Sequence, residues 1–120
     1  MAKQYNIEDS HKGQMLEIVI AVKNPDGTVI DDPTGQTITI TVGRTPNDNK
    51  ILAFNSADEQ VNILNVDKGE WYIKLTEEEL AGLQEDRAYY YNIWSQSAAG
   101  APRLQAYGRL KRKPAIQYMI

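Results

Sequence analysis

The chain has 120 residues, a formal net charge of −3 and no cysteine. This length fits one domain and is too short for a catalytic domain beside a separate binding domain. The lack of cysteine excludes disulfides, thiol catalysis and thiolate metal sites. The acidic balance argues against nucleic acid as a main partner, because binding to phosphates needs a positive field.

The N-terminal region, residues 1–13, is polar and has no apolar stretch of the kind found in a signal peptide. The longest apolar run, residues 16–22, is short for a membrane helix and is interrupted by Glu17. We therefore expect a protein without a signal peptide or a membrane partner. Residues 1–13 are expected to form an arm in front of the fold, which either frays or orders against a neighbouring subunit.

Apolar residues then alternate along the chain with the period of two that strands require. The first strand has an unbroken apolar face of Leu16, Ile18, Ile20 and Val22. Thr37 to Val42 alternates without error and places three threonines outward. Further strands are predicted around 50–54, 60–66, 70–75, 88–95 and 104–110, with Gly108 marking a bulge. About seven strands separated by turn residues are typical of a sandwich or a barrel.

One short helix is predicted at about residues 76–83. Thr76 can cap its first turn, and Glu79 follows three residues later as in a capping box. Gly82 and the small number of apolar residues limit this helix to one or two turns.

The order of these elements resembles a known group of domains. Gly-Glu-Trp-Tyr-Ile at 69–73 leads into Leu-Thr-Glu-Glu-Glu-Leu at 75–80, and then a tyrosine-rich strand and a final glycine-containing strand follow. With the Thr-Ile-Thr-Ile strand before them, they resemble the Ig-like domains of tailed-phage virion proteins. Members include the N-terminal domain of phage baseplate upper proteins and related small head and tail accessory proteins.

The resemblance covers residues 14–113 and implies an Ig-like antiparallel β-sandwich. Residues 114–120 are expected to form a tail outside it, and residues 117–120 have no counterpart in that group. The resemblance also implies a non-enzymatic structural protein of the virion, assembled in the host cytoplasm. Its partners would be capsid, neck or tail subunits, and it would act as a homo-oligomer or in a symmetric multicopy assembly.

The polar residues suggest no catalytic, cofactor or metal site, so we do not expect an enzyme. His11 is the single histidine and has no neighbours in ligand spacing. The acids at 77–79 fit the start of a helix, and Asp31 and Asp32 fit a turn. Single glycines in turns without a following helix do not form a phosphate-binding loop.

We therefore expect the function to depend on outward aromatic rings, on the tail and on a basic stripe formed by Arg103, Arg109 and residues 111–113. The stripe either docks onto an acidic subunit or keeps an edge strand from aggregating. An adhesive module that binds a receptor or a host surface glycan, on a tail fibre or the capsid surface, is the alternative function. The candidate partner-binding residues are Tyr72, Tyr90, Trp94, Arg109, Lys111, Arg112, Lys113, Tyr118, Met119 and Ile120.

Overall fold

A computed structural model describes residues 3–11, 15–24, 26–28, 35–45, 51–65, 68–84, 87–97 and 100–113. These residues form an all-β fold without a helix. In chain order the strands are β1 (Lys3–Gln4), β2 (Ile7–His11), β3 (Leu16–Ala21), β4 (Gln36–Gly43), β5 (Leu52–Asn55), β6 (Val61–Asn65), β7 (Glu70–Leu75), β8 (Ala88–Ser97) and β9 (Arg103–Lys113).

The strands build two sheets that pack as a β-sandwich, as predicted. The small sheet has the order β3-β7-β6, and the large sheet has the order β9-β8-β4-β5; these seven strands pair antiparallel. The short β1 and β2 extend the large sheet and run parallel to β9. This division of strands between the sheets is that of immunoglobulin domains.

The core lies between the inward faces of both sheets, where the alternation of the sequence places apolar side chains. Ile38, Ile40 and Val42 of β4 are at most 2% exposed, which confirms the predicted inward face of that strand. Three aromatic rings follow the same rule, because Trp71, Tyr89 and Tyr91 point inward and are buried. Inward-pointing side chains from the alternating strands of both sheets thus fill the core.

The described part of the expected N-terminal arm belongs to the sandwich. Residues 3–11 contain β1 and β2, and the side chain of Ile7 is 5% exposed within the core. Between the two strands the Tyr5 amide donates to the Tyr107 carbonyl at 2.8 Å. Sequence periodicity missed this segment because the buried Ile7 stands outside any alternating apolar pattern. Backbone pairing with β9 and a bond from the Arg109 amide to Asn6 Oδ1 at 3.0 Å hold the segment in place.

Gly108 allows the backbone of the N-terminal segment at Tyr5 to approach β9 closely. A Cβ atom at Gly108 would lie 2.1 Å from the Tyr5 carbonyl oxygen, far inside van der Waals contact. Gly108 itself pairs regularly with Tyr91, so the bulge expected there is wrong. The irregularity occurs earlier, where Ile93 pairs with Ala106 but Trp94 pairs with Leu104, leaving Gln105 as the extra residue.

The helix predicted at about 76–83 is also wrong, although its capping box forms. The Thr76 amide donates to Glu79 Oε1 at 3.0 Å, and the Glu79 amide donates to Thr76 Oγ1 at 3.3 Å. Only one bond of the α type follows, from the Leu80 amide to the Thr76 carbonyl, before the pattern tightens to three-residue turns. Leu80 and Leu83 are buried in the core, so packing draws the segment into consecutive turns.

The connection from these turns into β8 is fastened by Tyr89. Its buried ring carries a hydroxyl that accepts a hydrogen bond from the Gln84 amide at 2.8 Å, five residues upstream. This arrangement has the position and the bonding of the tyrosine corner of immunoglobulin folds. It fixes the start of β8, and with it the alternation of every later residue on that strand.

Candidate interaction face

The outer surface of the large sheet carries a row of polar and aromatic side chains on β8. Tyr89, Tyr91, Ile93 and Ser95 of β8 are buried inward, and the residues between them therefore point away from the core. These outward residues are Tyr90, Asn92 and Trp94, all partly exposed. The sequence prediction of Tyr90 and Trp94 as surface residues agrees with this placement.

The neighbouring strands extend this row into a surface. On the β4 side, Thr39 lies opposite Trp94, Thr41 opposite Asn92, and Gly43 opposite Tyr90. Since Gly43 has no side chain, the Tyr90 ring has no direct cross-strand neighbour on that strand. Thr39 is partly exposed and Thr41 is buried, so Thr39 is the one of these two threonines that the β4 side adds to the surface.

The β9 side contributes a third ring and positive charge. Tyr107 lies opposite Asn92, Leu104 opposite Trp94, and Arg109 opposite Tyr90. Arg109 and Lys111 are exposed and follow Tyr107 with the same parity along the strand. We call the surface formed by Thr39, Tyr90, Asn92, Trp94, Tyr107 and Arg109 the aromatic face.

Sequence reasoning missed Tyr107, Asn92 and Thr39 as members of this surface. The signal for Tyr107 was available, because residues 107, 109 and 111 alternate on one side of a strand. The signal for Asn92 was available as well, because it lies between Tyr90 and Trp94 in the alternation of β8. Thr39 joins only through the pairing of β4 with β8, which no local pattern shows.

The predicted basic stripe is divided between two faces. Arg112 is 2% exposed, because it shares the inward parity of Leu110, and it is therefore not part of an exposed stripe. Burial lowers the pKa of its guanidinium, and the Glu77 carboxylate opposes that effect. Lys113 ends β9, while Tyr118, Met119 and Ile120 lie outside the described residues.

Tyr72 lies on the opposite side of the sandwich from the aromatic face. It occupies β7 of the small sheet, between Val19 on β3 and Asn62 on β6, and is directed away from the core. Desolvation raises the pKa of the Tyr72 phenol, and the Glu17 carboxylate adds to the rise. The structure therefore brings Tyr90, Trp94, Arg109 and Lys111 together but leaves Tyr72 apart.

The aromatic face presents aromatic rings, the Asn92 amide and the Arg109 guanidinium as contact groups. Within the described ranges, no cluster of three or more His, Asp or Glu side chains is arranged to hold a metal ion. The described part of the chain likewise has no helix that is long and apolar enough to cross a membrane. Comparison of the sequence with protein-family models and with curated proteins finds no match.

Proposed function

We propose that this chain is a non-enzymatic structural protein of a tailed-phage virion that docks onto a neighbouring capsid, neck or tail subunit through the aromatic face. The observation that carries the docking role is the alignment of Tyr90, Trp94 and Tyr107 on one sheet surface. Tyrosine and tryptophan are the rings most enriched at binding hot spots. The virion setting is supported by the resemblance of residues 14–113 to phage Ig-like domains.

The charge of the face indicates the chemistry of its partner. Arg109 and Lys111 are exposed on β9 beside the rings, although the whole chain has a net charge of −3. An acidic subunit surface would complement this rim and raise the rate of association. Many copies in a symmetric shell would then add avidity to a contact that is individually weak.

The proposal is tested by co-expressing the chain with each protein encoded by its neighbouring genes and measuring complex formation by size-exclusion chromatography with light scattering. Trp94→Ala and Tyr90→Ala should each weaken the complex about tenfold or more. Tyr72→Ala is the matched control, because it removes the same type of outward ring from the opposite sheet. Equal losses in Tyr72→Ala and Tyr90→Ala would contradict docking through the aromatic face.

A glycan array separates this proposal from the adhesive alternative. The same rings could stack on sugars, with the Asn92 amide between Tyr90 and Trp94 as a polar neighbour. Selective glycan binding that Trp94→Ala abolishes, without any complex between the chain and a virion subunit, would replace the structural proposal with the adhesive one.

A further inference from the structure

The outer surface of the small sheet carries exposed apolar side chains next to charged ones. Leu16 and Ile20 of β3 and Trp71 and Ile73 of β7 are buried, so the alternate residues of both strands point away from the core. β6 adds the exposed Leu64. We call this surface the small-sheet face, and its members are Glu17, Val19, Leu64, Glu70, Tyr72 and Lys74.

The centre of the small-sheet face is apolar. Val19 lies directly opposite Tyr72 and is 53% exposed. Leu64 is also 53% exposed, and it is the extra residue where the pairing of β6 with β7 becomes irregular. Apolar side chains grouped on an exposed sheet surface mark a site of protein contact.

Opposite charges lie at the two ends of β7, on either side of this centre. Glu70 is the first residue of the strand and partly exposed, while Lys74 is its last outward residue and fully exposed to solvent on the same side. Alternate residues of a strand are about 7 Å apart, so both charges lie at the same distance from Tyr72. β7 thus presents a negative end, a ring and a positive end in that order.

This order of groups is complementary to itself. When two such faces stack with β7 antiparallel to β7 of the second copy, a two-fold axis crosses the strands at Tyr72. Glu70 of each copy then meets Lys74 of the other, and the two Val19 side chains meet on the axis. Facing sheets lie about 10 Å apart, a gap that outward glutamate and lysine side chains can bridge.

The same charges disfavour the other way of stacking two faces. A two-fold axis parallel to β7 would place Glu70 over Glu70 and Lys74 over Lys74. Like charges at an interface are destabilising, so they select the axis that crosses the strands.

The symmetry of the charges favours a second copy over a different protein. On the aromatic face Arg109 and Lys111 are both positive, so that face needs an acidic partner. The small-sheet face instead has both signs on β7, placed symmetrically about Tyr72. Such symmetry is what a self-complementary surface requires.

The size of the face determines how strong the contact can be. Three strands of five or six residues cover about 300 Å². Each partner in a stable complex buries about 800 Å². We therefore expect a weak dimer that forms at high concentration or where many copies are held close together.

We propose that two copies of this chain associate through their small-sheet faces, about a two-fold axis that crosses β7 at Tyr72. The Glu70 carboxylate of each copy pairs with the Lys74 ammonium of the other, around a centre of Val19 and Tyr72. Leu64 adds apolar contact beside this centre. The contact is separate from the aromatic face, which lies on the other sheet.

Sedimentation velocity of the purified chain over a wide concentration range measures the association. We expect a reversible dimer, which Lys74→Glu weakens at least tenfold because it places two pairs of acidic groups in the interface. Glu70→Lys should weaken it to a similar extent by placing two pairs of basic groups there. Lys111→Glu is the matched control, because it makes the same change of charge on an exposed residue of the large sheet, and it should leave the dimer unchanged. Circular dichroism verifies the fold of each variant.

Mixing the two weakened variants gives the decisive result. Lys74→Glu offers two acidic groups and Glu70→Lys offers two basic ones, so the mixture should form a heterodimer at concentrations where each variant alone is monomeric. The variant with both substitutions exchanges the charges and should dimerise as the original chain does. A chain that stays monomeric up to millimolar concentration overturns the proposal. A dimer that survives Lys74→Glu, or a mixture without heterodimer, overturns it as well.

Cross-linking tests the position of the axis. The chain has no cysteine, so Val19→Cys introduces a single thiol beside the axis. A short bismaleimide should join two copies of Val19→Cys, whereas Thr39→Cys on the aromatic face should remain monomeric. Cross-linking of Thr39→Cys to the same or a greater extent would contradict the proposed interface.

These results are independent of docking to a virion subunit. The dimer is measured with the chain alone, and Trp94→Ala should leave it unchanged. Docking through the aromatic face is measured below the concentration at which the chain dimerises, where loss of the dimer in Tyr72→Ala does not enter the comparison. Either contact can therefore fail without the other.

Discussion

The side-chain amide of Gln105 bonds both backbone groups of Lys23, and this pair joins the large sheet to the end of β3. Gln105 Oε1 accepts from the Lys23 amide, and Gln105 Nε2 donates to the Lys23 carbonyl, both at 3.1 Å. The same Nε2 donates to the buried Ser95 hydroxyl at 2.8 Å. The side chain of one bulged residue thus makes the hydrogen bonds that link the large sheet to the backbone just after β3.

Gln105→Ala is expected to lower the free energy of unfolding by about 2 kcal/mol, because it removes three hydrogen bonds and leaves the Ser95 hydroxyl buried without this donor. Urea denaturation followed by tryptophan fluorescence measures the change. Gln96→Ala removes a single exposed bond to the Gly100 carbonyl and should cost about 0.5 kcal/mol. Equal effects of the two substitutions would show that Gln105 does not join the sheets.

Gly108→Ala is expected to displace the N-terminal segment, since the new methyl group would meet the Tyr5 carbonyl oxygen at 2.1 Å. Hydrogen exchange should show loss of protection at the Tyr5 amide, and stability should fall by about 1–3 kcal/mol. The control is Gly82→Ala, where a Cβ meets no atom within 4 Å. Retained protection at Tyr5 in Gly108→Ala would contradict the close approach.

Tyr89→Phe tests the corner that fixes the start of β8. Removal of the hydroxyl deprives the Gln84 amide of its acceptor and should lower stability by about 1 kcal/mol. Tyr90→Phe, one position along, removes an outward hydroxyl and should change stability by less than about 0.5 kcal/mol. Thermal denaturation of both variants provides the comparison. If Tyr89→Phe were as stable as the original chain, the hydrogen bond at this corner would not stabilise the fold.

Tyr91 should make the fold sensitive to alkaline pH. Burial raises the pKa of Tyr91 to about 12 from an ordinary 10.0, and its hydroxyl donates to the Tyr5 carbonyl. Between these two pKa values the unfolded chain loses a proton that the folded chain keeps. The stabilisation is therefore complete below about pH 10 and is lost as the pH rises toward 12.

Urea denaturation at several pH values from 9 to about 11.5 measures this dependence, whose slope for one proton is about 1.4 kcal/mol per pH unit at most. Tyr91→Phe is the reference, because it keeps the ring and every other tyrosine. The difference in stability between the original chain and Tyr91→Phe should shrink as the pH rises. A constant difference would mean that Tyr91 titrates alike in the folded and unfolded chains.

Alternation along the chain was sufficient to predict the sandwich but not its edges. Thr37 to Val42 predicted β4 because each residue type matched its face of the sheet. β1 and β2 were missed because their place depends on Gly108, which is 101 residues after Ile7 in sequence and matters only through a close backbone approach. Local patterns contain no information about such a contact.

The site residues also divide into those that local alternation predicts and those that it does not. Tyr90 and Trp94 were predictable because β8 alternates cleanly, whereas Arg112 was taken as exposed because charge was judged without parity. The helix prediction rested on Thr76 and Glu79, whose capping bonds do form. Burial of Leu80 and Leu83 then outweighed the weak helical preference of a segment that contains Gly82.

The parallel pairing of β2 with β9 determines how the domain carries mechanical load. A pull applied through the residue before β1 and the residue after β9 drags these two neighbours along their common axis in opposite directions. Their backbone bonds are then sheared together instead of being opened one after another like a zipper. A chain fixed at both ends to larger bodies would therefore resist extension at this seam before any other strand separates.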